Sequence, residues 1–590
     1  MSEQNKDQDK LGPIELGELF LRMPAQQHEF VQGLMKAVSP EALDPLNIGE
    51  AFAELGQALN ASPMQLYLSQ VQLAQDYTRL WQYGLQRSMG LPAEPVIRPE
   101  PGDRRFRHSD WSENPAFDYL KQSYLLTCRW VQDQVERTEG LDEAHRKKVR
   151  FYTRQYLDAM SPTNSLLTNP EVLRETLESR GANLVRGLRN LLNDLDEKTG
   201  RLNISMTDKS AFEVGRNVAT APGKVVFQND VFQLLQFEPS TETQYQVPLL
   251  IFPPWINKYY ILDLKPQNSF IRWALDQGHS VFVVSWVNPD ARLAEKTWED
   301  YYNEGISAAI DATLKAAGHD QVHAIGYCIG GTLLASGLAH MAAAEDKRVK
   351  LATFFAAQVD FSEPGDLEVF IDEKQLASLD TMMSEQGFLE GSAMSTTFNM
   401  LRANDLIWTF VINNYLMGKA PYPFDLLYWN ADSTRMPRAL HMFYLREMYG
   451  HNRLAQPGGI TLNGTPVDLG RVEIPIYLQA SREDHIAPFT SVFKATKLYS
   501  GPVRFVLAGS GHIAGVINPP AAEKYCHWIN ESAPSDLDEW LSGSVEQPGS
   551  WWPDWHAWAA PQLGERVPAR QPGSGGMKVI EDAPGSYVRA

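Results

Sequence analysis

The hexapeptide Gly326-Tyr327-Cys328-Ile329-Gly330-Gly331 limits what this chain can fold into more than any other stretch. The run Gln321-Val322-His323-Ala324-Ile325 before it reads as a short buried strand, and the Leu- and Ala-rich run from Thr332 to Ala344 reads as a helix. One reactive side chain at a glycine-flanked strand-to-helix turn is the pattern of a nucleophile elbow. Glycines let the backbone turn where a Cβ would clash, and the turn lifts the central side chain above the sheet. Here that side chain is a thiol, which implies acyl transfer through a thiolate. The following helix would point its N-terminus at the sulfur, and the Ile329 N–H would face a developing oxyanion. The competing reading of so short a pattern is a small buried cysteine at a packing turn.

Composition narrows the setting. A chain of 590 residues has room for at least two domains and a large catalytic core. A net charge of -19 argues against general nucleic-acid binding. It leaves open an anionic substrate such as coenzyme A, because a local basic mouth can exist on an acidic protein. Met1 to Lys10 is polar with mixed charges, unlike a secretory signal, and no apolar run is long enough to span a bilayer; the expected location is the cytoplasm. Cys128, Cys328 and Cys526 are too few and too scattered for a disulfide framework or a zinc cluster, so no metal is expected.

Residues 1–202 read as a helical N-terminal domain, with long segments at Glu50 to Met89, Trp111 to Glu139 and Asp142 to Met160. The proline-rich stretch from Pro92 to Asp103 reads as a connector. From 203 to 564 strand-like runs alternate with helical ones: Lys224 to Phe232, Val247 to Phe252, Ser280 to Trp286, Val322 to Gly326, Val349 to Ala356, Ile474 to Ala480 and Val503 to Leu507. That alternation predicts a mostly parallel α/β sheet covered on both faces. From about 361 to 466 it lapses into an aromatic, Met-rich segment, read as a cap over the sheet's carboxyl edge that excludes water. Trp551, Trp552, Trp555 and Trp558 read as core packing, with a hydrophobic surface for a partner or an insoluble product as the alternative. Residues 565–590, rich in Gly, Pro and Arg, read as a flexible tail.

An elbow of this kind has partners later in the chain, in the order nucleophile, acid, histidine, on loops after late strands. After Ile474 to Ala480 comes Ser481-Arg482-Glu483-Asp484-His485, and after Val503 to Leu507 comes Gly509-Ser510-Gly511-His512. His512 is the stronger candidate base, because its glycine-flanked loop gives the ring access to the elbow; His485 competes. Asp484 is the candidate acid, with Glu483 as its neighbouring alternative, since a shorter carboxylate usually orients the histidine's Nδ1. Three loops in the right order define an α/β-hydrolase fold with a cap insertion, preceded by a mostly helical domain.

These residues resemble the polyhydroxyalkanoate synthases, cysteine-dependent members of the α/β-hydrolase superfamily. The likeness rests on Gly326 to Thr332, Pro253-Pro254-Trp255-Ile256-Asn257-Lys258-Tyr259-Tyr260-Ile261-Leu262-Asp263-Leu264, Ser481 to His485, Gly511 to Pro520 and the cap-like Pro423 to Asn430. It implies a triad of Cys328, Asp484 and His512, and an acyltransferase that polymerises short-chain 3-hydroxyacyl-CoA into polyester. The chain length resembles the single-subunit class. Backbone N–H groups of Ile329 and Ile256 would hold the oxyanion, and Asn257 and His485 would line the substrate. Coenzyme A would enter as part of the substrate, with no separate cofactor. A homodimer on a cytoplasmic storage-granule surface would be its setting. A cysteine thioesterase or depolymerase of the same fold, or a catalytically silent granule scaffold, remain alternatives.

Overall fold

A computed structural model describes residues 48–196, 200 and 202–590. They fall into two compact units, one comprising the described residues up to 208 together with 398–422, the other 209–397 with 423–590. The cap expected over 361–466 is therefore divided, its middle stretch belonging with the helical region.

In the first unit the helices are α1 (Ile48–Ala61), α2 (Pro63–Ser88), α3 (Pro115–Arg137), α4 (Glu143–Ala159), α5 (Pro170–Glu178) and α6 (Ala182–Asp194). Asn114, Asp142 and Asn169 accept backbone N–H bonds at the starts of α3, α4 and α5, satisfying donors a helix leaves open. The proline-rich connector is tied down by Gln122, whose Oε1 accepts from Val96 N–H at 2.8 Å. Gly187 on α6 explains why 398–422 joins this unit. A Cβ there would sit 1.8 Å from the Tyr415 carbonyl, so only glycine admits so close a backbone approach. Asn183 Nδ2 donates to the Leu416 carbonyl at 2.8 Å across the same contact.

In the second unit the strands are β1 (Gly223–Gln228), β2 (Phe232–Phe237), β3 (Leu249–Phe252), β4 (Val281–Trp286), β5 (Val322–Tyr327), β6 (Val349–Phe355), β7 (Ile476–Ser481), β8 (Val503–Ala508), β9 (Cys526–Ile529), β10 (Val545–Pro548) and β11 (Glu581–Asp582). They form one sheet in the order β10-β9-β8-β7-β6-β5-β3-β4-β2-β1-β11. The centre, β4 through β8, is parallel, and the flanks are antiparallel. Alternation divides the strand residues between two cores: Phe282, Val284 and Trp286 face one, Val281 and Val283 the other. The elbow helix Ile329–Ala343 buries Leu333, Leu334 and Leu338 in the first. Trp551, Trp552 and Trp555 are completely buried in the second, so this cluster is core packing.

Two expectations are corrected. The run Lys224 to Phe232 is the hairpin β1–β2, turned where Asn229 Oδ1 accepts from Val231 and Phe232 N–H. The segment 565–590 is part of the fold rather than a flexible tail. Arg566–Pro568 pairs with Thr243–Tyr245, β11 adds an edge to β1, and Val588 is buried. Contacts scattered through short strands and single side chains leave no periodicity, which is why composition misreads it.

Candidate active site

Cys328 follows β5 directly and holds φ 50°, ψ -127°. A non-glycine residue at positive φ is strained. The strain is held by the Cys328 N–H bond to the Phe355 carbonyl on β6 at 2.9 Å and by bonds from Gly331 and Thr332 N–H to the Cys328 carbonyl. At Gly330 a Cβ would lie 2.5 Å from the Phe252 carbonyl and 2.6 Å from that of Pro253, so the elbow abuts the loop after β3. The Ile329 amide opens the elbow helix, and Ile256 lies three residues beyond Pro253 on that adjoining loop.

His512 Nδ1 meets Asp484 Oδ2 at 2.6 Å, with the Asp484 side chain fully buried. The other carboxylate oxygen, Oδ1, accepts from Ile486 and Ala487 N–H at 2.9 Å each. Both oxygens of Asp484 are thus committed to fixing the loop and the ring. Burial opposes a charge on His512, but the Asp484 carboxylate and the neighbouring Cys328 sulfur outweigh it and raise its affinity for a proton well above the ordinary histidine range. This is the property needed to take the thiol's proton.

The alternatives separate in space. Glu483 is exposed. His485 is half-buried and its carbonyl accepts from Asp366 N–H at 3.1 Å, while Asp484 turns to His512. Asn257 is half-buried and its backbone bridges Ser433. Burial raises the thiols of Cys128 and Cys526 above their ordinary value, making them poorer nucleophiles. Among the described residues no group of acidic, His and Cys side chains could hold a metal ion, and no helix is long and apolar enough to cross a membrane.

Several supporting contacts escaped the sequence reading. Trp551 Nε1 donates to the Gly515 carbonyl at 2.8 Å and Trp552 Nε1 to that of Val516 at 2.9 Å, buttressing the loop that carries His512. Tyr327, inside the elbow motif, donates to the His512 carbonyl at 3.3 Å and lies 5.9 Å from its ring. Tyr444 and Tyr449 lie on a π-helical turn, Tyr444–Gly450. Burial above all raises both phenols, with the Cys328 charge contributing, so they are neutral neighbours of Cys328. Phe361 packs on both, 5.9 and 4.9 Å between ring centres. The only sequence trace of this wall was the aromatic richness of the cap.

A strained cysteine elbow beside a buried His–Asp pair, at the carboxyl edge of this sheet, places the chain in the α/β-hydrolase class. Residues 248–519 match the family model of the alpha/beta hydrolase fold, and residues 102–274 match that of the poly-beta-hydroxybutyrate polymerase (PhaC) N-terminus. The chain is 52% identical over 528 residues to a poly(3-hydroxyalkanoate) polymerase of Methylorubrum extorquens, covering 89% of this chain and 87% of that one. It is 49% identical over 558 residues to the poly(3-hydroxyalkanoate) polymerase subunit PhaC of Rhizobium etli, 93% of this chain and 87% of the relative. To the corresponding subunit of Cupriavidus necator it is 43% identical over 535 residues, 90% and 89% of the two chains. The chain belongs to the poly(3-hydroxyalkanoate) polymerase family and is an acyltransferase-type enzyme.

Proposed function

We propose that this chain polymerises (R)-3-hydroxyacyl-CoA, with a short side chain as in 3-hydroxybutyryl-CoA, through an acyl-enzyme on Cys328. The observation that carries this reading is the Asp484–His512 pair set beside a cysteine elbow. His512 takes the Cys328 proton, and the thiolate attacks the thioester carbonyl. The tetrahedral oxyanion is held by the Ile329 and Ile256 N–H groups, then collapses with the C–S bond to coenzyme A breaking; the CoA sulfur leaves with the proton from His512. Exchanging one thioester for another keeps the acyl group's transfer potential. In the second half the hydroxyl of another unit, or of the growing chain, gives its proton to His512 and attacks the acyl carbonyl, expelling the Cys328 sulfur. Because both Asp484 oxygens are occupied, its role is to orient and charge-stabilise His512.

The wall of buried Tyr444 and Phe361 with half-buried Tyr449 supports the short side chain, as filled space there leaves little for a longer one. Coenzyme A enters and leaves as part of the substrate. The enzyme would work as a homodimer on cytoplasmic polyester granules. Supporting the granule, α2 exposes Met64, Tyr67, Leu68, Val71, Trp81 and Leu85 at helical spacing along one side.

The test is incubation with 3-hydroxybutyryl-CoA while free CoA and sedimentable polyester are followed together. Both should rise in step, and Cys328→Ala should abolish acyl-enzyme formation. Release of CoA with only soluble hydroxyacid would make the chain a hydrolase. Acylation persisting in Cys328→Ala would overturn the nucleophile. Deleting residues 1–92 should impair granule binding; unchanged binding would reject that role.

A further inference from the structure

The loop after β3 is held from a direction the triad does not explain. Thr434, buried at 3% exposure, donates its hydroxyl to the Trp255 carbonyl, and its own N–H donates to the Ile256 carbonyl at 3.1 Å. The first of these bonds matters chemically. The Trp255 carbonyl and the Ile256 N–H belong to the same peptide unit, and in a trans peptide they point in opposite directions from one plane. Pinning the oxygen therefore fixes where the N–H faces.

The surroundings make that pin stiff. Trp255 is wedged among Trp286, Trp298 and Tyr301, with ring centres 5.7, 5.9 and 5.3 Å away, so its side chain cannot follow a rotating peptide. Trp286 Nε1 holds the Pro253 carbonyl at 2.8 Å, fixing the loop's other end. On the far side Lys258 Nζ pairs with Asp432 at 2.8 Å, and Asn257 bridges Ser433, so residues 432–434 run along the loop as a splint. Within that splint, Thr434 alone reaches the peptide plane in question through a side chain among the described residues.

We infer that Thr434 is a positioning residue for catalysis, whose hydroxyl aims the Ile256 N–H at the developing oxyanion by anchoring the other end of the same peptide. The inference rests on the acyl-enzyme reading above, in which that N–H is an oxyanion donor. A preorganised donor acts because it costs no reorganisation as charge develops, and a small misplacement forfeits much of its effect.

The experiment compares Thr434→Val, which keeps the shape and removes the hydroxyl, with Thr434→Ser, which keeps the hydroxyl. Three quantities are measured on the full chain: Cys328 acylation by 3-hydroxybutyryl-CoA in a single turnover, KM, and inhibition by a trifluoromethyl ketone of matching acyl chain, whose adduct carries the oxyanion. Thr434→Val should slow acylation by roughly 10- to 100-fold, leave KM within about threefold, and weaken the ketone by the same factor as the rate. Thr434→Ser should recover most of both. Wild-type acylation in Thr434→Val overturns the inference. So does a slow Thr434→Ser, or a rate loss without weaker ketone binding, since each would mean packing rather than the hydroxyl is at work. Failure of the underlying reading looks different: Cys328→Ala would still acylate, or the ketone would bind that variant as well as it binds the wild type.

Discussion

His512 and His323 are both buried in the same α/β unit, and they behave in opposite ways. His512 holds a proton more tightly than an ordinary histidine, whereas burial pushes His323 down to about 3. Both rings lose water; what differs is the partner. His512 faces the Asp484 carboxylate, while His323 faces the Thr353 hydroxyl at 2.9 Å and lies stacked on Trp555. A low-dielectric interior strengthens whatever charge partner it contains, and where there is none it enforces neutrality. Burial by itself therefore does not mark a catalytic histidine.

The sharpest way to break the contrast is to make His512 resemble His323. Asp484→Asn removes the charge with little change in shape; turnover should fall by about 10³- to 10⁴-fold, and the His512 titration followed by NMR should move down. An unmoved titration would mean that Cys328 alone outweighs burial. Next in size is Trp551→Phe, which strips the donor from the Gly515 carbonyl. Leaving that carbonyl buried and unpaired should cost about 1–3 kcal/mol of stability, read from thermal unfolding, and should loosen His512 enough to lower turnover.

A smaller effect tests the other side of the comparison. The folded-state affinities of His323 and His441 are depressed to about 3 and about 4 from 6.5. Below pH 6.5 the unfolded chain binds protons the folded one refuses, so stability falls as pH drops from there toward 3. Melting temperatures across this range should decline less steeply in His323→Phe, with turnover near neutral pH retained; an unchanged slope would show His323 does not contribute. Smallest of all, Cys128→Ala and Cys526→Ala should leave acylation at the wild-type level.

Much of the arrangement around Cys328 was legible because its signals are local. Glycines at a strand-to-helix turn announce Cys328, and each partner follows a run of apolar residues that had to be a strand. The boundary between β1 and β2 was missed although Gln228-Asn229-Asp230 interrupts the apolar run, and Asn229 turns the chain there by accepting two backbone N–H bonds. The bonds that Thr434 and Trp551 make were not legible for another reason. Each runs to a carbonyl far away in sequence, and every residue has a carbonyl, so the receiving end carries no sequence mark. Residues 398–422 looked like cap because their affinity for α6 depends on a missing Cβ at Gly187, a contact defined by absence.

The two indole bonds to Gly515 and Val516 also bear on the order in which the protein is made. A ribosome releases the elbow long before Trp551 and Trp552, and domains generally fold as units. Cys328 therefore leaves the ribosome well before the strands that precede Asp484 and His512. The loop carrying His512 gains its two indole braces only once the segment holding Trp551 and Trp552 has emerged.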